Sequence, residues 1–173
     1  MANLRFTNFV ASADLGHQID LVRLCRTYTN TIYKPAKFSG LNWRHKNIEG
    51  TCLVFKSGKI VVNGIKNKNN IRKCVRQYAR LIQKCEVNVK LRKIMFVTSS
   101  ACYMLAARVD YVKMAKAINT SLEPELFHAL RVHRDKVHFI IYSTGKVIIT
   151  GITCKRILDT VVYPFLLELE INV

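Results

Sequence analysis

The chain states one pattern twice. Phe-Lys-Ser-Gly-Lys-Ile-Val-Val-Asn-Gly at residues 55–64 returns as Tyr-Ser-Thr-Gly-Lys-Val-Ile-Ile-Thr-Gly at residues 142–151. Gly58, Lys59 and Gly64 thereby reappear as Gly145, Lys146 and Gly151, each 87 positions on. Pro35 and Phe38 reappear as Pro124 and Phe127, 89 positions on, so one intervening turn is two residues shorter in the second copy. Tyr78 is answered by Tyr163. A stacked solenoid needs at least three repeats, and 173 residues hold only two of this size, so the pattern is an internal duplication. Two similar halves give a pseudo-twofold surface, which suits a ligand with near-twofold symmetry such as duplex nucleic acid.

Charge points the same way. A net +17 exceeds what solubility requires and calls for a polyanionic partner. It is unevenly spread: residues 1–85 carry 16 Lys/Arg against 3 Asp/Glu, and residues 86–173 carry 12 against 8. With 50% hydrophobic residues the chain can bury one compact core. The six cysteines form no C-x-x-C pair, and His128, His133 and His138 have no cysteine pair beside them, so no metal and no cofactor is expected. The cysteines read as small buried hydrophobes of a reducing compartment. Neither a signal peptide nor a bilayer-spanning run is apparent, which gives the expectation of a soluble intracellular protein without a membrane partner.

Each half has the same order of elements. A strand (about Leu4–Ala11, then Lys93–Ser100) leads to a helix (around Asp20–Thr27, then Tyr111–Ile118). Three strands follow: Ser39–Arg44, Thr51–Phe55 and Lys59–Asn63, then Leu130–His133, Val137–Tyr142 and Lys146–Thr150. Ile71, Val75, Tyr78, Ala79, Ile82 and Cys85 recur at helical spacing, with Arg72, Lys73, Arg76, Arg80 and Lys84 on other faces. Pro164 predicts a kinked or short last helix. Glu86–Lys93 reads as a strand joining the halves. The expected class is α+β: one continuous antiparallel sheet with helices on one face, built from a first repeat (1–85) and a second (86–173).

Strand alternation then sorts the side chains. Leu41, Trp43, Cys52, Val54, Ile60 and Val62 form a wholly apolar set that belongs against the helices. Asn42, Arg44, Leu53, Phe55, Lys59, Val61 and Asn63 form the other set, apolar and basic interleaved. Such a surface fits a minor groove: apolar atoms meet sugar edges, cations meet phosphates, and aromatic rings enter base steps.

At these residues the chain resembles the TATA-box-binding protein family, over essentially its whole length. The signatures are Glu123-Pro124-Glu125-Leu126-Phe127, Ser57-Gly58-Lys59 with Gly64, Gly145-Lys146 with Thr150-Gly151, Gln77–Lys84, and Asn8-Phe9-Val10 before Leu15-Gly16. The resemblance implies a saddle whose concave sheet straddles the minor groove and bends DNA, by about 80° in this family. It implies Phe38, Phe55, Phe127 and Tyr142 as wedges. Asn8, Val10, Leu53, Val61, Ile140, Ile148 and Thr150 fall on groove-floor positions, with Asn63, Phe96 and Thr98 beside them. Arg44, Ser57, Lys59, Thr144 and Lys146 fall near the DNA backbone. Glu123, Glu125 and Leu126 match the surface shown to transcription factor IIB, and Arg72, Arg76 and Lys84 the one used towards transcription factor IIA or upstream partners. The family further implies a non-enzymatic role with the RNA polymerase initiation machinery, in a nucleus, a reduced nuclear genome or a viral compartment.

Departures from the family pattern touch the groove floor. Phe96 reads as the counterpart of Asn8, which removes one of two central amides, unless a one-residue slip turns Phe96 into the core. Thr98 stands for Val, Asn63 for Thr, and His128 for the Pro after the second-repeat wedge. The shortened turn at Arg134–Lys136 leaves the register of Arg131 and His133 open. Two other readings stand beside the first: a relaxed or non-specific architectural DNA binder or protein scaffold, and a DNA-modifying enzyme, for which no acid–base pair or catalytic domain is visible.

Overall fold

The computed structural model describes residues 4–85, 88–121 and 128–173. The chain packs as two units: an N unit of Asn8–Val97, and a C unit of Thr98–Val173 joined by the N-terminal residues to Thr7.

In the N unit the strands are β1 (Arg5–Asp14, from Asn8 onward), β2 (Thr31–Ile32), β3 (Leu41–Trp43), β4 (Thr51–Val54) and β5 (Lys59–Ile65). They lie in the order β2-β3-β4-β5-β1, and every neighbouring pair is antiparallel. The two-residue β2 carries no alternation signal and is not anticipated by the sequence. Helices α1 (Leu21–Thr27) and α2 (Ile71–Cys85) cover one face. The apolar strand set is buried as expected: Leu41, Trp43, Cys52, Val54, Ile60 and Val62 are all fully enclosed. Trp43 anchors this core, with the Tyr28 ring stacked at 4.6 Å and the Tyr78 ring edge-on at 5.3 Å. The helical period of α2 places Ile71, Cys74, Val75, Tyr78, Ala79, Ile82 and Cys85 inward.

The C unit repeats the plan with β6 (Ile94–Met104, from Thr98), β7 (Leu130–Arg134), β8 (Val137–Ile141) and β9 (Lys146–Ile152), in the order β6-β9-β8-β7. Helix α3 (Tyr111–Ala117) answers α1. Asp20 and Asp110 cap the two helices alike, each carboxylate accepting two backbone N–H bonds of the first turn. The core gathers Ala101, Tyr103, Met114, Val132, Phe139, Ile149, Phe165 and Leu169.

The final helix differs from expectation. Helical structure runs from α4 (Lys155–Ile157) through a π turn at Leu158–Val162 into α5 (Tyr163–Ile171). Pro164 has no N–H for the Thr160 carbonyl, and its ring would strike that group in a regular helix. The widened turn, in which Tyr163 N–H reaches Leu158 O, admits the proline and lets the helix continue.

The expected joining strand is also corrected. Asn88–Lys93 is not strand, while Glu86 and Val87 lie outside the described residues. The segment is held by Lys90 N donating to Leu15 O and Arg92 N to Asp14 O, two bonds on one side and no ladder. Among the cysteines, Cys52, Cys74 and Cys85 are buried as expected, but Cys154 is exposed. No helix of the described residues is long and apolar enough to cross a membrane, and no cluster of three metal-ligating side chains occurs among them.

Candidate nucleic-acid interface

The face of each sheet opposite the helices is open, and ladder register arranges its side chains in rows. In the N unit Asn42 pairs with Leu53, Leu53 with Val61, and Val61 with Ser12. The next row sets Thr51 against Asn63, with Arg44 one residue beyond the Trp43–Cys52 pair. Leu53, Val61 and Asn63 are half-buried, and Asn42, Arg44 and Lys59 are exposed. In the C unit the matching rows are Arg131–Ile140–Ile148–Cys102 and His133–His138–Thr150. The hairpin at Asp135, whose φ is 54°, therefore keeps the register of the shortened turn in step with the N unit.

At the ends of these sheets the duplicated Gly-Lys turns are built alike. Phe55 N donates to Lys59 O and Gly58 N to Phe55 O; Tyr142 N donates to Lys146 O and Gly145 N to Tyr142 O. Gly58 (φ 88°) and Gly145 (φ 85°) must be glycine, since a Cβ would run into the His17 and Ala107 carbonyl oxygens. These turns hold Ser57, Lys59, Thr144 and Lys146 out in solvent.

Phe38 and Phe55 form an edge-on pair with ring centroids 5.9 Å apart, and Phe38 is 44% exposed. Gly40 makes room for them: a Cβ there would meet Phe38 Cε1 at 2.7 Å and Phe55 Cε1 at 3.1 Å. Its importance was not read from the sequence, where Ser-Gly before a strand looks like an ordinary turn. An exposed aromatic pair costs free energy in water, so its place on an otherwise cationic face marks an interaction surface. Tyr142 is half-buried; Phe127, Glu123, Glu125 and Leu126 lie outside the described residues.

Asn8 and Thr98 are counterparts. The ladders pair Phe9 with Ile65 and Ser99 with Ile152, each just before the same β-bulge, and the caps Asp20 and Asp110 each follow by the same interval. This corrects the assignment of Phe96, which matches Phe6 instead. Phe96 is 39% exposed, so the slip into the core does not occur; its ring lies 6.5 Å from that of Phe9. Asn8 Oδ1 accepts from Gly64 N at 2.7 Å, which leaves the two Nδ2 protons as its free donors. Thr98 Oγ1 donates its only proton to Ile152 O at 3.4 Å.

On the helix side of the N unit, Arg72, Arg76 and Lys84 of α2 are exposed. Among the described residues the printed ion pairing is confined to Arg92 with Asp14 at 3.7 Å, so this basic face is not neutralised within the chain. Glu49 accepts from Lys66 N at 2.6 Å and from Asn70 Nδ2 at 2.8 Å, and these bonds hold its carboxyl below the usual range.

Comparison with known proteins follows this geometry. The family described as "Transcription factor TFIID (or TATA-binding protein, TBP)" matches residues 3–85 and 91–170. The TATA-box-binding protein of Candida albicans is 33% identical over 172 residues, covering 95% of this chain and 72% of the relative. That of Caenorhabditis elegans is 31% identical over 166 residues, covering 92% of this chain and 49% of the relative. Among solved structures, Methanococcus jannaschii TBP superposes with a TM-score of 0.81 at 25% identity, over 97% of this chain and 98% of that one.

Proposed function

The chain belongs to the TATA-binding protein family, and from that premise we propose that it is a general transcription initiation factor that binds the DNA minor groove. The repeats, residues 1–85 and 86–173, each contribute an open sheet face to one site. Leu53, Val61, Ile140 and Ile148 lie along the groove floor with Asn8, Val10, Asn63, Phe96, Thr98 and Thr150. Arg44, Ser57, Lys59, Thr144 and Lys146 approach phosphates. Phe38 and Phe55 enter one base step and Phe127 and Tyr142 another, unstacking both and bending the duplex. Glu123, Glu125 and Leu126 meet a transcription factor IIB-like partner, and α2 meets an acidic partner such as a transcription factor IIA-like protein. The protein acts in the nucleus, by binding and not by catalysis.

The observation that carries this reading is the exposed Phe38–Phe55 pair, seated on Gly40 at the end of an apolar and basic sheet face. Energy transfer between dyes on the two ends of a short A·T-rich duplex rises on binding if the duplex bends. An unbent complex at saturation would overturn the proposal. Phe38→Ala reduces bending while Lys73→Ala, on the helix side, leaves it intact.

A second reading, relaxed selectivity with a large non-specific component, is favoured by the engaged Thr98 hydroxyl and by the +17 charge. Steep salt dependence, with a log–log slope of about −0.9 per neutralised phosphate, together with weak sequence preference would support it.

A further inference from the structure

The C unit carries two histidines on its open face where the N unit carries Arg44 and Thr51. His133 lies directly across the β7–β8 ladder from His138, and the row continues to Thr150. The rings meet edge-to-face with centroids 4.0 Å apart, and both residues are exposed. Among the described residues no carboxylate stands within ion-pair distance of either ring. The charged groups nearby are mostly cationic. Arg131 shares the face of β7, two residues from His133, and Lys136 and Asp135 occupy the turn. Arg134 turns to the core side, over the Phe165 ring at 5.2 Å and bonded to Ile118 O. β9 contributes uncharged Thr150 beside the pair, and its Lys146 lies at the far end of the strand.

Two imidazoles this close repel once both are protonated, and nothing among the described residues offsets that charge. A phosphate oxyanion would. Imidazole changes charge between about pH 5 and 8, and a bound anion favours the charged form. We propose that His133 and His138 form a phosphate-binding pair for the DNA backbone that engages by taking up protons. The C unit then grips DNA more tightly as pH falls, while the N unit, with Arg44 at the matching place, holds at any pH in this range. The inference rests on the DNA-binding reading of the open face.

The test is a titration of an A·T-rich duplex by fluorescence anisotropy at pH 8 and pH 6, over a series of salt concentrations. Uptake of one proton tightens binding by up to about tenfold per pH unit across the titrating range. The salt slope should steepen at pH 6 by about 0.9 for each phosphate newly neutralised. The double variant His133→Asn/His138→Gln should lose both effects while binding as the wild type does at pH 8. His133→Arg should bind at pH 8 with the steeper slope and little pH dependence. Binding that changes less than twofold between the two pH values overturns the proposal but leaves the DNA-binding reading standing. So does a wild-type pH response in the double variant, which would move the effect to His17, His45 or His128. Absence of binding at both pH values overturns the DNA-binding reading and this inference with it. Circular dichroism of each variant confirms the fold, and the pair is exposed enough for neutral replacements to leave it intact.

Discussion

Thr98→Asn tests whether the two halves of the site read bases unequally. A·T pairs present only acceptors in the minor groove, adenine N3 and thymine O2. Asn8 is set to meet them: its oxygen is held by Gly64 N at 2.7 Å, so its amide protons are the group left to donate. Thr98 has one proton, and that proton goes to Ile152 O. What Thr98 offers a base is a lone pair, which an A·T edge does not satisfy. Restoring an amide there adds one donor, and a hydrogen bond contributes a net of about 0.5–1.5 kcal/mol, or roughly two- to tenfold in affinity. The gain falls on A·T pairs beneath the second repeat alone. A panel of duplexes with G·C placed at each position in turn, read by anisotropy, should show the wild type tolerant on one side of the site. Thr98→Asn should make the two sides alike, whereas Asn8→Ala should make both tolerant. Gly64 is exposed, so water replaces its lost partner in Asn8→Ala and the stability cost stays below about 1 kcal/mol. The reasoning is refuted if Thr98→Asn folds normally and leaves the selectivity profile unchanged.

Three further outcomes follow from the packing. Gly58→Ala should destabilise the fold well beyond Gly64→Ala in chemical denaturation: both place Ala at positive φ, at about 1–2 kcal/mol, but only Gly58 faces a carbonyl that must move. Burial pushes the Tyr78 phenol up to about 12, so stability should hold below pH 10 and fall by about 1.4 kcal/mol per pH unit from pH 10 to 12; Tyr78→Phe should make that decline shallower in pH-dependent unfolding, after a loss at neutral pH of about 1 kcal/mol for the bonds to Gly50 O and from His45 N. The backbone N–H of Ile157 lowers the Cys154 thiol, and the side chain is exposed, so it should react with a thiol reagent first; equal labelling of buried Cys52 would contradict this.

Sequence alone makes the faces of these sheets legible because one face is wholly apolar. Leu41, Trp43, Cys52, Val54, Ile60 and Val62 can stand only against the helices, and that choice turns Asn42, Leu53, Val61 and Asn63 outward at once. The Gly-Lys turns are legible for a related reason, since a repeated glycine at a strand junction reports a positive φ. Register along a strand is another matter. Phe96 and Thr98 share a face, so alternation cannot tell which of them answers Asn8, and the bulges at Phe9/Ala11 and Ser99/Ala101 break the count from the hairpin side. The missing signal lay downstream in the helix caps. Asp20 and Asp110 bind the first turns of α1 and α3 identically, and counting back from each leads to Asn8 and to Thr98.

The histidine row shows a different limit. His133 and His138 stand out in the sequence only as metal-ligand candidates, and with no cysteine pair nearby that reading fails. What gives them meaning is cross-strand pairing, which depends on the two-residue shortening of the preceding turn being absorbed at Asp135. Once the register is fixed, each C-unit position has an N-unit counterpart, and the duplication becomes a controlled comparison within one molecule. Lys59 and Lys146 are unchanged between the copies, whereas Arg44 has become His133 and Asn8 has become Thr98. The N unit thus retains a permanent cation and a free amide donor where the C unit has titratable rings and an engaged hydroxyl. Affinity that survives high pH should therefore reside mainly in the N unit, and so should base selectivity. A duplex whose A·T-rich half lies under the N unit should outcompete its mirror image at pH 8, and lose part of that advantage at pH 6 as the C unit gains charge.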